Sequence, residues 1–479
     1  MPPRRPTTSH RWWTLAAVSL TQLLLVLDGT IVNVALPRAQ AELHLSDAGR
    51  QWVVTGYALA FGSFLLLGGR VADFWGRKRT YLVGLGAFGL ASVWGGLAAD
   101  GAALVAARCV QGVAAAFLAP AALAFVTLSF PDGGERNRAF AIFGSLAGVG
   151  SAAGMLLGGV LTEHASWRWC LLVNVPVVVL GLVAGAVLLV ENRAEGDRRY
   201  DAAGAVTATL GFGSLVYGLT LAEQSWTSSV TVGCIVAGIG LLTAFVLVER
   251  RTAHPLLPLR VLADRTRAAA FCVQALVGVV GLGAMVFLAF HLQLVMGLTP
   301  MQAGAGTLPF TVALMSSVPF AVRMVDRLGP RRQMVVGPLI SAVGLLLLSR
   351  VTAGGGYWAQ VLPGLVLMGA GMGFTVVPLN NLALHGVAPH DAGVASATAT
   401  ATNQLGGSIG LAALTGLYVS VAGRSGAGVE AVVSGHRAVF LAGAGVFVAA
   451  ALVSWALLPT RARAQTDARE RVLTGAEAR

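Results

Sequence analysis

The sequence predicts an all-α polytopic membrane protein, and three observations support this fold class. Of its 479 residues, 56% are hydrophobic and only 11% are charged, whereas a soluble domain has about 25% charged residues. The hydrophobic residues occur in blocks of about 20, the length at which a helix crosses the hydrocarbon core of a bilayer. These blocks lack the alternating pattern of a membrane β-barrel, and the 61 glycines suit membrane helices that pack closely.

Short polar clusters between the blocks indicate where each span begins and ends. Backbone groups in lipid must form their hydrogen bonds within the protein, which favours helices throughout. We predict fourteen transmembrane helices, at 13–36, 50–70, 80–99, 103–127, 138–161, 168–190, 203–222, 230–248, 268–292, 301–322, 333–350, 357–378, 393–420 and 437–458. The span 393–420 is the least hydrophobic, and it is included because the charge pattern requires an even number of spans.

The basic residues indicate how the chain is oriented. Most of the 33 basic residues, among which Lys78 is the only lysine, lie in the two termini and in every second connection. The positive-inside rule therefore predicts that both termini are cytoplasmic. The net charge of +12 is spread between the hydrophobic blocks, which argues against a nucleic-acid partner. We expect a multi-pass plasma-membrane protein that contacts lipid and functions as a monomer.

The residues that could hold a metal or perform catalysis are not arranged for either task. We interpret the cysteines as small buried hydrophobes, because Cys109, Cys170, Cys234 and Cys272 lack metal-binding spacing. No His-x-x-His cluster, zinc motif or nucleotide-binding loop occurs in the sequence. We therefore expect no metal, no cofactor and no enzymatic activity, and a membrane-embedded enzyme is the least favoured alternative.

Two connections between spans contain the same short pattern. One reads GRVADFWGRKR from Gly69 to Arg79, and the other reads VDRLGPRR from Val325 to Arg332. Each has an aspartate, a glycine three residues later and a basic cluster, between two closely joined spans on the predicted cytoplasmic side. The repeat predicts two related helical bundles with a substrate site near the midplane between them.

The repeat divides the chain into five predicted segments. These are a cytoplasmic tail at 1–12, a six-helix bundle at 13–190, two extra helices with flanking cytoplasmic loops at 191–267, a second six-helix bundle at 268–458 and a cytoplasmic tail at 459–479.

Asp28 and Arg108 are the charged residues placed deepest in the predicted spans. Asp28 lies about 22 Å from the cytoplasmic side at 1.5 Å per residue, and an ionisable group at this depth points to function. Helix 4 enters the membrane from the outer side, so Arg108 lies at a depth of about 10 Å from that side. In a core about 30 Å thick, this depth allows an ion pair with Asp28. We predict that Asp28 binds and releases a proton under the control of Arg108. A purely structural ion pair is the alternative.

The two repeated loops form a predicted conformational latch on the cytoplasmic side. Asp73 can accept hydrogen bonds from a neighbouring helix N-terminus or from an arginine, and these bonds would hold the inner ends of the bundles together in the outward-open state. Gly76 would permit the tight turn between two helices. The latch residues are Arg70, Asp73, Gly76, Arg77, Lys78, Arg79 and Asp326. Topology determination alone is the alternative.

Uncharged polar residues within the spans predict a polar substrate cavity. Each of them could instead hydrogen-bond a neighbouring helix. The candidates are Gln22, Asn33, Gln111, Gln274, His291, Gln293, Asn380, Asn403 and Gln404. The six spans predicted after residue 267 contain no carboxylate, which favours neutral or weakly charged amphipathic substrates.

Several motifs, in order along the chain, resemble those of the major facilitator superfamily and, within it, the fourteen-span drug:proton antiporters. The loop Gly69 to Arg79 resembles the signature between helices 2 and 3 of that superfamily. The other matches are LDGTIVNVALP at 27–37 in helix 1, RCVQG at 108–112 in helix 4, WRW at 167–169 with NVP at 174–176 before helix 6, the Asp326 loop, and 380–407.

The resemblance implies a major facilitator fold of two six-helix bundles plus two extra helices. It also implies export of drugs or antibiotics in exchange for protons, with alternating access and the proton gradient as energy source. Helix 5 of these exporters has an antiport motif, which here comprises Gly150, Gly154, Gly158 and Gly159.

Met155 stands where the family has a proline, so we expect a less kinked helix. We also expect the small-residue face formed by Gly144, Gly148, Gly154 and Gly158 of this helix to slide against the other bundle, or simply to pack tightly. A proton-coupled importer and a channel stay open as alternatives.

Overall fold

A computed structural model of the protein describes residues 8–130, 134–191, 201–221, 225, 227–252, 264–383, 387, 392–426 and 428–458. All regular elements in these ranges are helices. The long ones are α1 Thr8–Glu42, α2 Asp47–Trp75, α3 Arg77–Gly96, α4 Gly101–Ser129, α5 Gly134–His164, α6 Asn174–Leu188, α7 Ala202–Leu221, α8 Ser229–Arg251, α9 Arg265–Phe290, α10 Pro300–Leu328, α11 Pro330–Leu348, α12 Leu362–Ala383, α13 Ala392–Arg424 and α14 Val429–Leu457. One-turn helices Trp169–Leu172 and Tyr357–Gln360 precede α6 and α12, and a π-helical segment, His291–Val295, continues α9.

The hydrophobic length of these helices confirms a multi-pass membrane protein. Among the described residues, ten helices are long and apolar enough to cross a bilayer. The helix α7 is apolar but shorter, with the stretch Ala203–Leu219, and α2, α3 and α5 are not among the ten. Fourteen spans therefore stay a prediction. The predicted cytoplasmic tail at 459–479 lies outside the described residues.

The two halves of the chain pack their helices by the same scheme. In the first half α1 packs on α5 and α6, α2 packs on α4, and α3 packs on α4 and α6. In the second half α9 packs on α13 and α14, α10 packs on α12, and α11 packs on α12 and α14. The contacts α2–α13 and α5–α10 join the halves, and the hairpin α7–α8 lies against them through contacts of α7 with α2 and α13. This equivalence agrees with the repeated loops, while the segment limits stay a prediction.

Glycines allow the helices of each half to approach closely at equivalent places. A Cβ atom added at Gly112 in α4 would overlap the carbonyl oxygen of Tyr57 in α2. At the corresponding crossing in the second half, a Cβ added at Gly369 in α12 would overlap the carbonyl oxygen of Phe310 in α10. Small residues at such crossings let backbones touch, which strengthens van der Waals packing in a membrane.

The two repeated loops also contain equivalent turns. Gly76 joins α2 to α3 with φ 121°, and Gly329 joins α10 to α11 with φ 79°. Both values lie in the region where a residue with a Cβ atom is strained. The glycine of each Asp-x-x-Gly pattern therefore makes the tight connection between two antiparallel helices.

We expect Gly112→Ala to destabilise the protein, because the added methyl group meets a backbone carbonyl that cannot turn away. Overpacking of this kind costs about 1–3 kcal/mol. Gly86→Ala in α3 is the matched control, because a Cβ atom there meets nothing within 4 Å. Thermal unfolding of both purified variants in detergent checks this expectation. Equal midpoints for the two variants would show that the crossing tolerates a side chain.

Candidate functional site

The candidate site is an ion pair between α1 and α4 in the first half of the chain. Asp28 is 0% exposed and Arg108 is 1% exposed. Arg108 Nη1 lies 2.6 Å from Asp28 Oδ2, so the contact that their predicted depths allowed is present. The side chain of Asp100 accepts a hydrogen bond from the Ala103 backbone N–H and caps the start of α4.

The other carboxylate oxygen of Asp28 accepts two further hydrogen bonds. Asn174 Nδ2 donates to Asp28 Oδ1 at 2.7 Å, and Gln111 Nε2 donates to the same oxygen at 3.2 Å. Arg108 and Gln111 are three residues apart on α4 and therefore project from one face of the helix. Asp28 thus receives donors from α4 and α6 at once, and its negative charge is fully coordinated.

The guanidinium of Arg108 is held from three directions besides Asp28. Its Nε donates to Val53 O at 3.1 Å, and its Nη1 also donates to Gln111 Oε1 at 3.0 Å. The guanidinium carbon lies 4.2 Å from the centre of the Tyr57 ring, a cation–π distance. Charges in such a dry site interact strongly because little solvent screens them. The ion pair therefore fixes the contact between α1 and α4 electrostatically.

Sequence reasoning did not assign two members of this network. The sequence places Asn174 in the NVP motif, which does not indicate a partner for it, and no motif includes Ser92. Ser92 Oγ accepts hydrogen bonds from Gln111 Nε2 at 2.8 Å and from Asn174 Nδ2 at 3.4 Å. Both residues are buried. Asparagine is common at helix ends, so the place of Asn174 in the sequence does not indicate that it pairs with Asp28. Only the structure shows this contact.

The predicted cavity residues do not form one cluster. Gln111 belongs to the ion-pair network. Asn403 Nδ2 donates to the Gln274 backbone carbonyl at 3.3 Å, which is the alternative of hydrogen bonding between helices. Gln22 and Gln404 are half-buried, Asn380 is exposed, and Asn33 is buried with no partner for its Oδ1 atom. Gln293 and His291 lie in the π-helical segment at the contact between the halves.

The glycines of α5 contact both halves of the chain. Added Cβ atoms at Gly150, Gly154 and Gly158 would meet α1, at Val26, Thr30 and Ile31 respectively. Gly148 and Gly159 instead face the other half, at Met315 of α10 and at the backbone of Pro300 and Met301 in its first turn. The expected contact with the other bundle is therefore present for part of the glycines, and tight packing within the half accounts for the rest. The spacing of four places three glycines on one side of the helix, and that side faces α1.

Met155, which replaces the family proline, lies at the interface between the halves. Thr307 Oγ1 in α10 lies 2.8 Å from Met155 Sδ, and a Cβ atom at Gly304 would overlap the Met155 carbonyl oxygen. The helix α5 runs from Gly134 to His164 without interruption, as expected when the proline is absent.

The side chains of the predicted latch aspartates, Asp73 and Asp326, lie outside the described residues. Nearby, the Glu191 carboxylate accepts hydrogen bonds from the backbone N–H groups of Lys78 at 3.1 Å and Arg79 at 3.2 Å. A carboxylate at a helix N-terminus is favourable because free N–H groups point toward it. Glu191 therefore caps α3, a role that the sequence analysis did not assign.

The end of the molecule opposite this loop, which is the predicted outer end, is closed by contacts between the halves. Gln293 Nε2 donates to Val34 O at 3.1 Å, and the Met301 backbone N–H donates to Glu163 Oε2 at 3.1 Å. Hydrogen bonds from the Thr299 side chain and from this N–H hold the pKa of Glu163 below its usual value. Glu163 therefore stays charged near neutral pH, and the contact it makes persists there.

We expect Arg108→Ala to destabilise the folded protein strongly, because it leaves the Asp28 carboxylate buried without a counter-charge. Removal of one partner of a buried pair costs about 3–5 kcal/mol. Adding Asp28→Asn should recover part of this loss, since the second charge is then removed as well. Thermal unfolding of the single and double variants measures the difference.

Arg38→Ala is the matched control, because Arg38 is exposed and donates a hydrogen bond to Thr162 O at 2.7 Å. Its loss should cost no more than about 1.5 kcal/mol, the value of one hydrogen bond. Strictly additive effects of Arg108→Ala and Asp28→Asn would contradict the interpretation that the two charges stabilise each other.

Comparison with known proteins identifies relatives over the whole chain. The puromycin resistance protein pur8 of Streptomyces alboniger is 40% identical over 481 residues, covering 98% of this chain and 96% of pur8. The cephamycin export protein CmcT of Amycolatopsis lactamdurans is 38% identical over 468 residues, covering 96% and 95% of the two chains.

Solved transporter structures share the fold. A bacterial homologue of the human lysosomal transporter Spinster, inward-facing and unoccupied, superimposes with a TM-score of 0.66 at 18% identity, covering 94% of this chain and 97% of that one. The POT family transporter PepTSo gives a TM-score of 0.69 at 15% identity with the same coverage. The family model of the Major Facilitator Superfamily matches residues 18–411. The chain therefore belongs to the Major Facilitator Superfamily of membrane transporters.

Proposed function

We propose that this transporter exports small amphipathic organic compounds, drugs or antibiotics, from the cell in exchange for protons. The observation that supports this most strongly is the buried pair of Asp28 and Arg108, whose hydrogen bonds link α1, α4 and α6. A carboxylate buried at membrane depth is a group on which a proton can travel. The names of the relatives, a puromycin resistance protein and a cephamycin export protein, support outward transport of antibiotics.

The proposed mechanism is alternating access. The hydrogen bonds from Gln293 and to Glu163 join the halves at the predicted outer end, which supports our inference that the substrate enters from the cytoplasm. Proton binding at Asp28 in an outward-open state, followed by proton release to the cytoplasm after the change of state, would drive the cycle. The loops with Asp73 and Asp326 would hold the inner ends together during the outward-open half of the cycle.

The architecture that goes with this function is that of the fourteen-span drug:proton antiporters. The equivalent packing of α1–α6 and α9–α14 supports two six-helix bundles, and the hairpin α7–α8 supplies two further helices. We propose fourteen spans, a plasma-membrane location, both termini in the cytoplasm and a monomer as the working unit. The proton gradient is the energy source, and no cofactor is required.

The charge distribution indicates the substrate class. Among the described residues of the second half, no aspartate or glutamate is buried, so this side of the transport path lacks an anion to offset a permanent cation. We propose neutral or weakly charged amphipathic substrates. An importer, the alternative suggested by Met155, receives no support from the export and resistance names of the relatives.

Transport by purified protein in proteoliposomes tests the proposed function. With puromycin as the probe and an imposed pH gradient, the wild-type protein should move puromycin against its concentration gradient while protons move the opposite way. Asp28→Asn should reduce proton-driven accumulation to the level of empty vesicles, because its side chain cannot carry a proton. Exchange of labelled for unlabelled puromycin, which needs no proton, should persist in this variant.

Asp100→Asn is the matched control, because Asp100 is exposed and asparagine also caps a helix. This variant should transport like the wild type. If Asp28→Asn and Arg108→Ala both fold and still couple puromycin transport to the pH gradient, Asp28 is not the coupling site.

Survival of expressing cells tests the substrate class. We expect protection against puromycin and no protection against quaternary ammonium compounds, because no carboxylate is buried among the described residues of the second half to face a permanent positive charge. Strong protection against quaternary ammonium compounds would contradict the proposed substrate class.

A further inference from the structure

Two histidines of the second half form a buried pair that the mechanism above does not use. His291 is 1% exposed and His436 is 2% exposed. Their Nδ1 atoms lie 3.3 Å apart, although the residues are 145 positions apart in the sequence. His291 is the first residue of the π-helical segment that follows α9, and His436 lies in α14. Such π-helical segments often occur at functional sites.

Aromatic rings surround this pair, and the Arg50 guanidinium lies nearby. The Tyr418 ring of α13 stacks on His436 at 5.4 Å, and the Phe287 ring of α9 meets its edge at 6.0 Å. From α2, the Arg50 guanidinium lies 4.2 Å above the Phe290 ring, next to His291.

The residue after His436 makes contacts of its own. Arg437 Nε donates to Val351 O at 2.6 Å, and its Nη1 lies 3.7 Å from Glu430. The charged or titratable groups around the pair are therefore Arg50, Tyr418 and Arg437 with Glu430, and no buried carboxylate of the described second half compensates added positive charge.

The hydrogen bond between the histidines limits how many protons the pair can hold. A bond between two Nδ1 atoms requires a proton on one of them and a lone pair on the other. A further proton on the accepting Nδ1 would place two N–H groups face to face, with no acceptor between them. A first extra proton can bind the free Nε2 of the donor ring and leave this bond intact. A second one, on the accepting Nδ1, can bind only if the two rings move apart, so double protonation and a change of structure occur together.

The histidine pair is joined directly to the contact that closes the outer end. Gln293 belongs to the same π-helical segment as His291, and it donates to Val34 O of α1. Val34 lies six positions after Asp28 on the same helix. If the π-helical segment moves so that the two histidines separate, the hydrogen bond from Gln293 to Val34 O would be strained or broken.

We propose that His291 and His436 form a second proton-binding site of this transporter, whose double protonation breaks their hydrogen bond and releases the contact between Gln293 and Val34. This inference rests on the proposed proton coupling and adds to it a proton site in the second half. Protons that reach the outer end would then favour opening of that end, before Asp28 in the first half is loaded.

Two measurements on the full-length protein in lipid nanodiscs test this proposal. In a titration from about pH 8 to about pH 5, the range in which histidines change charge, imidazole NMR signals report protonation; His291→Gln and His436→Gln assign them. Hydrogen exchange of the backbone at 291–299 reports release of the segment. Wild type and variants are compared at the same pH, so that intrinsic exchange rates cancel.

We expect the signals of the pair to show a proton on every ring nitrogen at the acidic end of the titration. Over the same pH interval, exchange at 291–299 in the wild type should become about tenfold faster than in the double variant His291→Gln with His436→Gln, the effect of losing one buried hydrogen bond. His164→Gln, at an exposed histidine of the outer end, should behave like the wild type.

Three results would overturn the proposal. They are a pair that does not become doubly protonated during the titration, equal exchange in the wild type and the double variant, and loss of the effect on adding a metal chelator. If the double variant does not fold, His436→Gln replaces it, since glutamine can still hydrogen-bond His291. The measurements use neither substrate nor a pH gradient, and Asp28→Asn should leave them unchanged, so failure of the proposed export and failure of the second site are distinguishable.

Discussion

The ion pair between Asp28 and Arg108 is the constraint on which the first half of the structure depends. Neither charge is tolerable alone in a dry protein interior, because burial removes its hydration and an unpaired charge gains no favourable interaction in exchange. The pair therefore requires α1 and α4 to lie side by side at one depth. It also requires the amides of Gln111 and Asn174 to turn toward the carboxylate. The positions of α1, α4 and α6 follow from this local requirement.

The proposed proton coupling would act through the same ion pair. Asp28 Oδ2 faces Arg108, and Oδ1 faces two amides, so a proton on either oxygen replaces an accepted hydrogen bond by a donor. Arg108 keeps partners in Val53 O and the Tyr57 ring when it loses the carboxylate. The proposed carrier would need two arrangements of this site, because protonation would have to select between states.

The repeat in the sequence corresponds to a repeat in packing, and the physical link between them is the glycine. Gly76 and Gly329 make the two tight turns with positive φ, while Gly112 and Gly369 permit the same close crossing in each half. The two halves nevertheless differ in their buried ionisable groups. The first half has a carboxylate with an arginine, and the second has two histidines. A shared scaffold therefore positions different buried ionisable groups on its two sides.

Interactions between distant residues account for most of what sequence reasoning missed. Asn174 is 146 positions from Asp28, and His436 is 145 positions from His291, so no local pattern joins either pair. The neighbours of the α5 glycines are a further example, since Gly148 meets the other half whereas Gly154 meets α1. A spacing of four shows that Gly150, Gly154 and Gly158 share one side, but it contains no information on which neighbour that side meets.

The sequence by itself determined the membrane class, the helical character, the family resemblance and the presence of a deep acid and a deep arginine. These follow from hydrophobic block length, from charge placement and from motifs, all of which are local along the chain. Only the tertiary structure decided that Asp28 and Arg108 touch, that Asn174 and Ser92 complete their network, and that His291 meets His436. Those contacts depend on which helix faces rotate toward one another, and that rotation is set by packing over the whole bundle.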